Sequence, residues 1–291
     1  MTVLTEINTL KLALPTGRMK DGVVSLLAEA GMAVRQDDRT YRPQISLDGV
    51  SAKLLKPQNT VEMLHAGSRD LGFAGADWVA ELDADVVELL DTGLDPVRIV
   101  AAAPAGLLEN GRLPVRPLVV ASEYESLTRR WIDARGLDAR VVRSFGATEV
   151  FPPEDADAIV DCTATGATLA ANGLEAVDEL MASSTRLYAN PRVLDDPPRR
   201  EAAERFALLL RSVLEARRRV MVEVNVSAAH LEAVIAALPC MREPTVATLH
   251  DGAGYAVKAA VPRERLPGVI PEIKARGGTD IIVTSITQIV P

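Results

Sequence analysis

With 291 residues and 48% hydrophobic side chains, the chain can bury the cores of two or three domains, although aromatics at 3% leave Leu, Val, Ile and Ala to fill them. A formal net charge of −8 excludes the broad basic surface of a sequence-independent nucleic-acid binder, while allowing a local cradle for a small phosphorylated ligand. No stretch reaches the roughly 18 apolar residues of a membrane span, and no cationic run precedes an apolar one near the start, so no leader is expected.

Strands and helices alternate along most of the chain. Residues 10–15 (LKLALP) read as a strand and 21–31 (DGVVSLLAEAG) as an amphipathic helix closed by glycine. Asp48-Gly49, between the alternating runs of 44–55 (QISLDGVSAKLL), predicts a hairpin. A short helix (TVEMLHAG) leads to a strand at 71–76 (LGFAGA) with more glycine than packing needs. Asp77 follows at once, as a cleft residue or as the N-cap of a helix over WVAEL. Further strands are expected at 97–104 (VRIVAAAP), in RPLVVAS and in ARVVRSFG, the last two separated by the helix ESLTRRWIDARG. Alternation of this kind predicts a parallel sheet with crossover helices, which binds ligands beyond the carboxyl ends of its strands.

The stretch 157–174 (DAIVDCTATGATLAANGL) is the most specific in the chain. A buried strand ends on Asp161 and runs into small hydroxyl residues around Gly166, followed by a helix start. Backbone N–H groups in such a loop can converge on an anion with the helix dipole behind them. Small residues let the anion approach. Asp161 at the strand end can accept hydrogen bonds from vicinal hydroxyls, and phosphate plus diol describes a ribose 5-phosphate. Taken alone, the loop is equally an ordinary strand–turn–helix capped by Thr165 or Thr168, with Asp161 a surface acid.

A long charged helix is expected over 197–220, its Arg217-Arg218-Arg219 run marking a boundary and explained by a solvated face or a helix C-terminus. Beyond it MVEVNV, AAHLEAVIAALP, a hairpin around HDGAGYA, RLPGVIPEIKARG and TDIIVTSI give the order β-α-β-β-α-β of a ferredoxin-like domain. Cys162 and Cys240 lie far apart without a CxxC spacing and suit free thiols in a reducing cytoplasm. Cys162 reads as a small buried filler. His65, His230 and His250 are scattered, with no metal-ligand spacing. His65 is expected to be packed or exposed rather than a base, and Trp78 and Trp131 to be core or interface residues.

Collinear segments carry the functional reading further. ADAIVDCTATGATLAANGL resembles the phosphoribosyl-pyrophosphate loop of the ATP phosphoribosyltransferases, the family that opens histidine biosynthesis. LALPTGRM (12–19), DLGFAGADWVAE (70–81), ASEYESLT (121–128), FGATEVFP (145–152) and SSTRLYANP (183–191) resemble, in order, other segments of that family. MVEVNV, LPCMREPTVATL and GGTDIIVTSI resemble the regulatory domain of its long-form members.

The resemblance implies an α/β protein with a two-lobed, periplasmic-binding-protein-like catalytic core and a C-terminal ferredoxin-like (βαββαβ) regulatory domain. Lobe I would take residues 1–100 and 178–216, lobe II 101–177 and the regulatory domain 217–291. Thr163, Ala164, Thr165, Gly166, Ala167 and Thr168 would hold the 5-phosphate, with Asp157 and Asp161 near the ribose hydroxyls. Arg18, Lys56, Asp77 and Glu149 would contact ATP or pyrophosphate, and Asn225, Thr245 and Ser285 would line a histidine site. The implied reaction joins ATP to phosphoribosyl pyrophosphate, with Mg²⁺ carried on the substrates rather than in a protein cage. Histidine would inhibit, and the assembly would be a homo-hexamer or dimer without nucleic acid or membrane. Departures accompany the resemblance: the family commonly has Lys where Thr16 stands, a basic residue at Glu123, Arg at Lys56 and Asp at Asn59. Arg18, Lys53, Lys56 and Arg98 are candidates to make up the lost charge. These departures keep open a second reading, a catalytically weakened relative serving as a cytosolic nucleotide or amino-acid sensor.

Overall fold

The computed structural model describes residues 9–36 and 40–290, so the amino-terminal octet read for a leader lies outside it. The chain divides into two compact units, Met1–Ala207 and Leu208–Pro291.

The first unit opens with β1 (Leu10–Pro15), in which only Lys11 is exposed, and α1 (Met19–Glu29), which buries Met19, Val23, Leu26 and Leu27 along one helical stripe. β2 (Val34–Arg35) and β3 (Gln44–Ile45) form a small antiparallel ribbon, while β4 (Val50–Leu55) pairs in parallel with β1. The expected hairpin around Asp48-Gly49 therefore does not form. Gly49 does take a left-handed φ of 76°, but the strands on either side join different sheets. Six residue pairs along β1, with Ala52 and Leu54 buried, outweigh what the two-residue β3 offers as a partner.

α2 (Pro57–His65) starts on a proline, whose missing N–H costs nothing at that position. It packs on β5 (Leu71–Gly75), where a Cβ on Gly72 would come within 2.6 Å of Thr60 Cγ2. The glycine is what lets helix and strand approach. α3 (Ala76–Leu82) follows β5 directly. β6 (Val87–Pro104) is then 18 residues long, ten more than the apolar run at its end discloses. β7 (Leu118–Ser122), α4 (Glu125–Arg135), β8 (Ala139–Arg143), β9 (Ala158–Thr163) and the five-residue α5 (Ala167–Ala171) come next. β10 (Leu174–Ala189) also starts earlier than its recognisable SSTRLYA end. α6 (Pro191–Asp195) and the first half of α7 (Pro197–Arg217) complete the series, the rest of α7 belonging to the second unit.

The eight strands of the main sheet are ordered β4-β1-β5-β10-β6-β9-β7-β8. β6 and β10 run antiparallel at its centre, and each serves both halves: β10 pairs with β5 through Thr185–Ala189, while β6 pairs with β9 through Arg98–Ala102. Two α/β lobes thus share two continuous strands. In the second lobe α4 lays Leu127, Trp131 and Ile132 on Ile99, Val120, Ala158 and Val160. Each large side chain so buried contributes about 2–3 kcal/mol.

The second unit has β11 (Arg219–Val226), α8 (Leu231–Ile235), β12 (Thr245–Thr248), β13 (Tyr255–Pro262), α9 (Leu266–Ala275) and β14 (Thr279–Ser285). Its antiparallel sheet has the order β12-β13-β11-β14, the ferredoxin-like arrangement expected. β11 alternates strictly, sending Val220, Val222, Val224 and Val226 into a core with Val257, Val261, Val269 and Ile273. The helix expected over AAHLEAVIAALP is shorter, a 3₁₀ turn followed by α8. Among the described residues no helix is long and apolar enough to cross a membrane.

Candidate functional site

Where the two lobes meet, a cleft of about 440 Å³ opens at the carboxyl ends of several strands. Thr16 and Arg18 reach it from the turn after β1, and Pro57 and Gln58 from the start of α2. Asp77 and Trp78 come from α3, Glu123 and Tyr124 from the turn after β7, and Cys162 from β9. β10 adds Ser183, Ser184 and Thr185.

Asp77 is the best-held of these groups. It lies inside the first turn of α3, 5% exposed, so it is not the helix cap. Ser183 Oγ donates to its Oδ1 at 2.6 Å, and the Tyr124 hydroxyl donates to its Oδ2 at 2.8 Å. The Asp77 N–H donates back to Ser183 Oγ at 3.1 Å. The carboxylate folds over Gly75 so closely that a Cβ there would stand 2.0 Å from Oδ1, which accounts for that glycine. Burial first, and the Asp77 charge second, push the Tyr124 hydroxyl far above its ordinary pKa, so it stays a donor. Sequence reasoning did not single out Ser183 or Tyr124. Three hydroxyl residues in succession on a strand, Ser183-Ser184-Thr185, were the available signal.

The small-residue loop is folded by its own hydroxyls. Thr163 is buried and its Oγ1 accepts from Gly166 N at 2.9 Å, while Thr165 Oγ1 accepts from Ala167 N at 3.3 Å. Gly166 has a left-handed φ of 81°. Ala164, Thr165, Ala167 and Thr168 are exposed.

β9 runs two residues past Asp161, to Thr163, so Asp161 lies within the strand rather than at its end. Its Oδ1 accepts from Cys162 N at 2.6 Å. Burial pushes this carboxyl above its usual range, and the nearby charges of Glu123 and Glu149 push the same way. Asp161 thus has the acids Glu149 and Glu123 for neighbours. Asp157 does not join them. It precedes β9 and lies about 20 Å of extended chain from Thr163. There it accepts from Arg116 Nη2 at 2.7 Å and Val119 N at 2.8 Å. Those bonds outweigh its partial burial and hold it below the usual carboxylate range. Cys162 is also not the expected filler: it is exposed and faces the cleft.

The ATP phosphoribosyltransferase family model matches residues 56–212, and the model for the C-terminal domain of the same family matches residues 216–288. The chain belongs to the ATP phosphoribosyltransferase family. It is 35% identical over 290 residues to the ATP phosphoribosyltransferase of Chlorobium chlorochromatii, covering 98% of this chain and 99% of that one. It is 32% identical over 287 residues to that of Pelotomaculum thermopropionicum, at 97% and 99% coverage. A solved chain from the ATP phosphoribosyl transferase (HisG:HisZ) complex of Thermotoga maritima superposes with a TM-score of 0.64 at 27% identity, covering 71% of this chain and 99% of that chain.

In this member of the ATP phosphoribosyltransferases the cleft carries few cations. Thr16 and Glu123, the two departures in charge, both line it, together with Asp77 and Asp95 against Arg18. Arg98 is held by Glu179 at 3.3 Å and so compensates poorly. Lys56 is exposed at the start of α2, beside the cleft-lining Pro57. Among the described residues no three His, Cys, Asp or Glu side chains form a group able to hold a metal.

The three residues expected to form a histidine site do not converge. Ser285 stands opposite Val220 and Thr279 opposite Asn225, at opposite ends of the β11–β14 pair. Thr245 lies on β12, the far edge of the same sheet. Asn225 Nδ2 donates to Asp280 at 3.1 Å and is already engaged. Thr245 alone lines a pocket, about 320 Å³, with Met241, Glu243, Lys258 and Ile289 among its walls.

Proposed function

We propose that this chain joins ATP, through a ring nitrogen of adenine, to the anomeric carbon of phosphoribosyl pyrophosphate. The products are N1-(5-phosphoribosyl)-ATP and pyrophosphate, the first step of histidine biosynthesis. One observation carries the reading for this chain: Asp161 and Cys162 lie on β9, which leads directly into the phosphate-type loop, and Cys162 opens into the cleft holding Arg18 and Asp77.

In this reading residues 163–168 take the 5-phosphate. The Thr163–Gly166 and Thr165–Ala167 hydrogen bonds hold the loop ready and are exchanged for bonds to phosphate oxygens. Asp161 accepts from the ribose diol, and Glu149 stands beside it. Arg18 and Lys56 supply positive charge toward ATP and the leaving pyrophosphate. A substrate-borne Mg²⁺ would offset the charge of the pyrophosphate as it departs, with Glu123 and Asp95 the cleft carboxylates available to it. Displacement at an anomeric carbon passes through an oxocarbenium-like state, so positioning and charge stabilisation suffice, with no protein nucleophile. Asp77, both of whose oxygens are occupied by protein donors, shapes the wall rather than gripping a ligand.

The division into lobes at 1–100, 101–177 and 178–216, with a regulatory domain from 217, remains part of this reading, as do a cytoplasmic setting and assembly into hexamers or dimers. Histidine is proposed to dock in the Thr245 pocket and to act by binding one state of the protein better than another. Pyrophosphate release, followed with and without histidine, tests the reading. Release that requires both substrates and falls with histidine is expected. Tight binding of both substrates without release would favour the sensor, a reading to which the acidic cleft lining lends support.

A further inference from the structure

The amino end of α4 is capped from the other lobe. Tyr124, at the N-cap position, makes no capping bond of its own. Instead Glu81, on α3 and 7% exposed, accepts from Ser126 N through Oε1 and from Leu127 N through Oε2, each at 2.9 Å. Those are two of the amides that a helix start leaves unpaired, and a carboxylate there also meets the positive end of the helix dipole. The same two helices are tied by Arg130 Nη2, which donates to Ala80 O at 2.6 Å, and by the Trp78 and Tyr124 rings, with centroids 4.7 Å apart.

We propose that Glu81 is a positioning residue for the transfer reaction. The cleft wall of the second lobe, Glu123 and Tyr124, is the segment that runs directly into the capped turn. Arg18 and Asp77 stand on the first lobe. A carboxylate that spans the two lobes and fixes both amides sets how one wall faces the other. The 5-phosphate and ribose of phosphoribosyl pyrophosphate, held by residues 163–168 and Asp161, depend on the second lobe alone, and its pyrophosphate reaches Arg18 and Lys56 of the first. The alignment of its anomeric carbon with the nucleotide depends on both. Loss of Glu81 therefore spoils alignment while sparing binding of the sugar phosphate, and a misplacement of about 1 Å is enough to cost on the order of 100-fold in rate. This inference rests on the proposed reaction and names a residue that serves it.

The test uses the full chain with Glu81→Gln and Glu81→Ala. Glu81→Gln keeps one acceptor oxygen and sets an NH₂ group against the second amide. Expected for Glu81→Gln are a kcat lower by about tenfold, a Kd for ribose 5-phosphate within twofold of the parent, and faster hydrogen exchange confined to the peptide carrying Ser126 and Leu127. Glu81→Ala is expected to lose more kcat, again without loss of sugar-phosphate affinity. A folded Glu81→Ala protein with parental kcat would overturn the proposal. So would a Glu81→Gln protein whose kcat and sugar-phosphate affinity fall together with its melting temperature, the signature of a merely structural role. If the parent itself gives no turnover, the proposed reaction fails instead, and exchange at Ser126 and Leu127 still decides: unchanged rates in Glu81→Gln would exclude the cap.

Discussion

The Tyr124 hydroxyl, in the second lobe, donates to Asp77 Oδ2 in the first at 2.8 Å, and both residues are almost fully buried, at 3% and 5% exposure. Tyr124→Phe leaves that oxygen buried without its donor while preserving the ring contact with Trp78. An unmade hydrogen bond to a buried charge costs about 1–3 kcal/mol. The urea midpoint of unfolding is therefore expected to drop accordingly. An unchanged midpoint would mean that Asp77 is not held across the cleft by Tyr124.

Asp161 offers a pH signature. Burial raises its pKa, and Glu123 and Glu149 add to the rise. Its ionised form is the stronger acceptor for a diol, so kcat/KM for phosphoribosyl pyrophosphate falls as pH drops through that raised value, above the ordinary aspartate value near 4. Glu123→Gln removes one like charge and is expected to move this acid limb to lower pH. A limb that stays in place would detach Asp161 from its neighbours.

Asp157 predicts the opposite pattern, an effect on stability without one on binding. Its pKa lies below the ordinary range, so its contribution is complete above that range and disappears as pH falls through the lowered value. Asp157→Asn is expected to cost about 1 kcal/mol at neutral pH, with the partial exposure of the Arg116 pair limiting the effect. The difference from the parent should close in acid. KM for phosphoribosyl pyrophosphate is expected to stay within about twofold, and a tenfold rise would return Asp157 to the site.

The contrast between these two aspartates shows what the residue pattern could disclose. The resemblance puts Asp157 and Asp161 together at the ribose, yet the strand residues 158–160 between them hold them apart, with Asp157 before β9 and Asp161 within it. The alternation of strands and helices, the small-residue loop and the ferredoxin-like order were legible because each is a local pattern. The central strands were half hidden. Val87–Val97 of β6 and Leu174–Ala182 of β10 carry many polar, partly exposed residues, and it is their mutual pairing, not periodicity, that makes them strands. The Asp48-Gly49 hairpin failed for the converse reason, since a good local turn lost to long-range pairing with β1. Glu81 and Ser183 escaped notice because their partners stand 45 and 106 residues away.

The cleft charge gives a further prediction. Glu123 lines it among more acids than bases. Glu123→Lys changes the local charge by two units, and is expected to tighten ATP binding several-fold at low salt, with the gain fading as ionic strength rises. Titration calorimetry at two salt concentrations measures it. Weaker binding by the lysine variant would show that the acid serves the nucleotide complex as it stands.

The most direct measurement is a single turnover with the chain in excess over phosphoribosyl pyrophosphate, in the presence of ATP and Mg²⁺, quenched and resolved by liquid chromatography with mass detection. One N1-(5-phosphoribosyl)-ATP is expected for every pyrophosphate released. Pyrophosphate accompanied by free ribose 5-phosphate, or full recovery of both starting compounds, would overturn the proposed reaction.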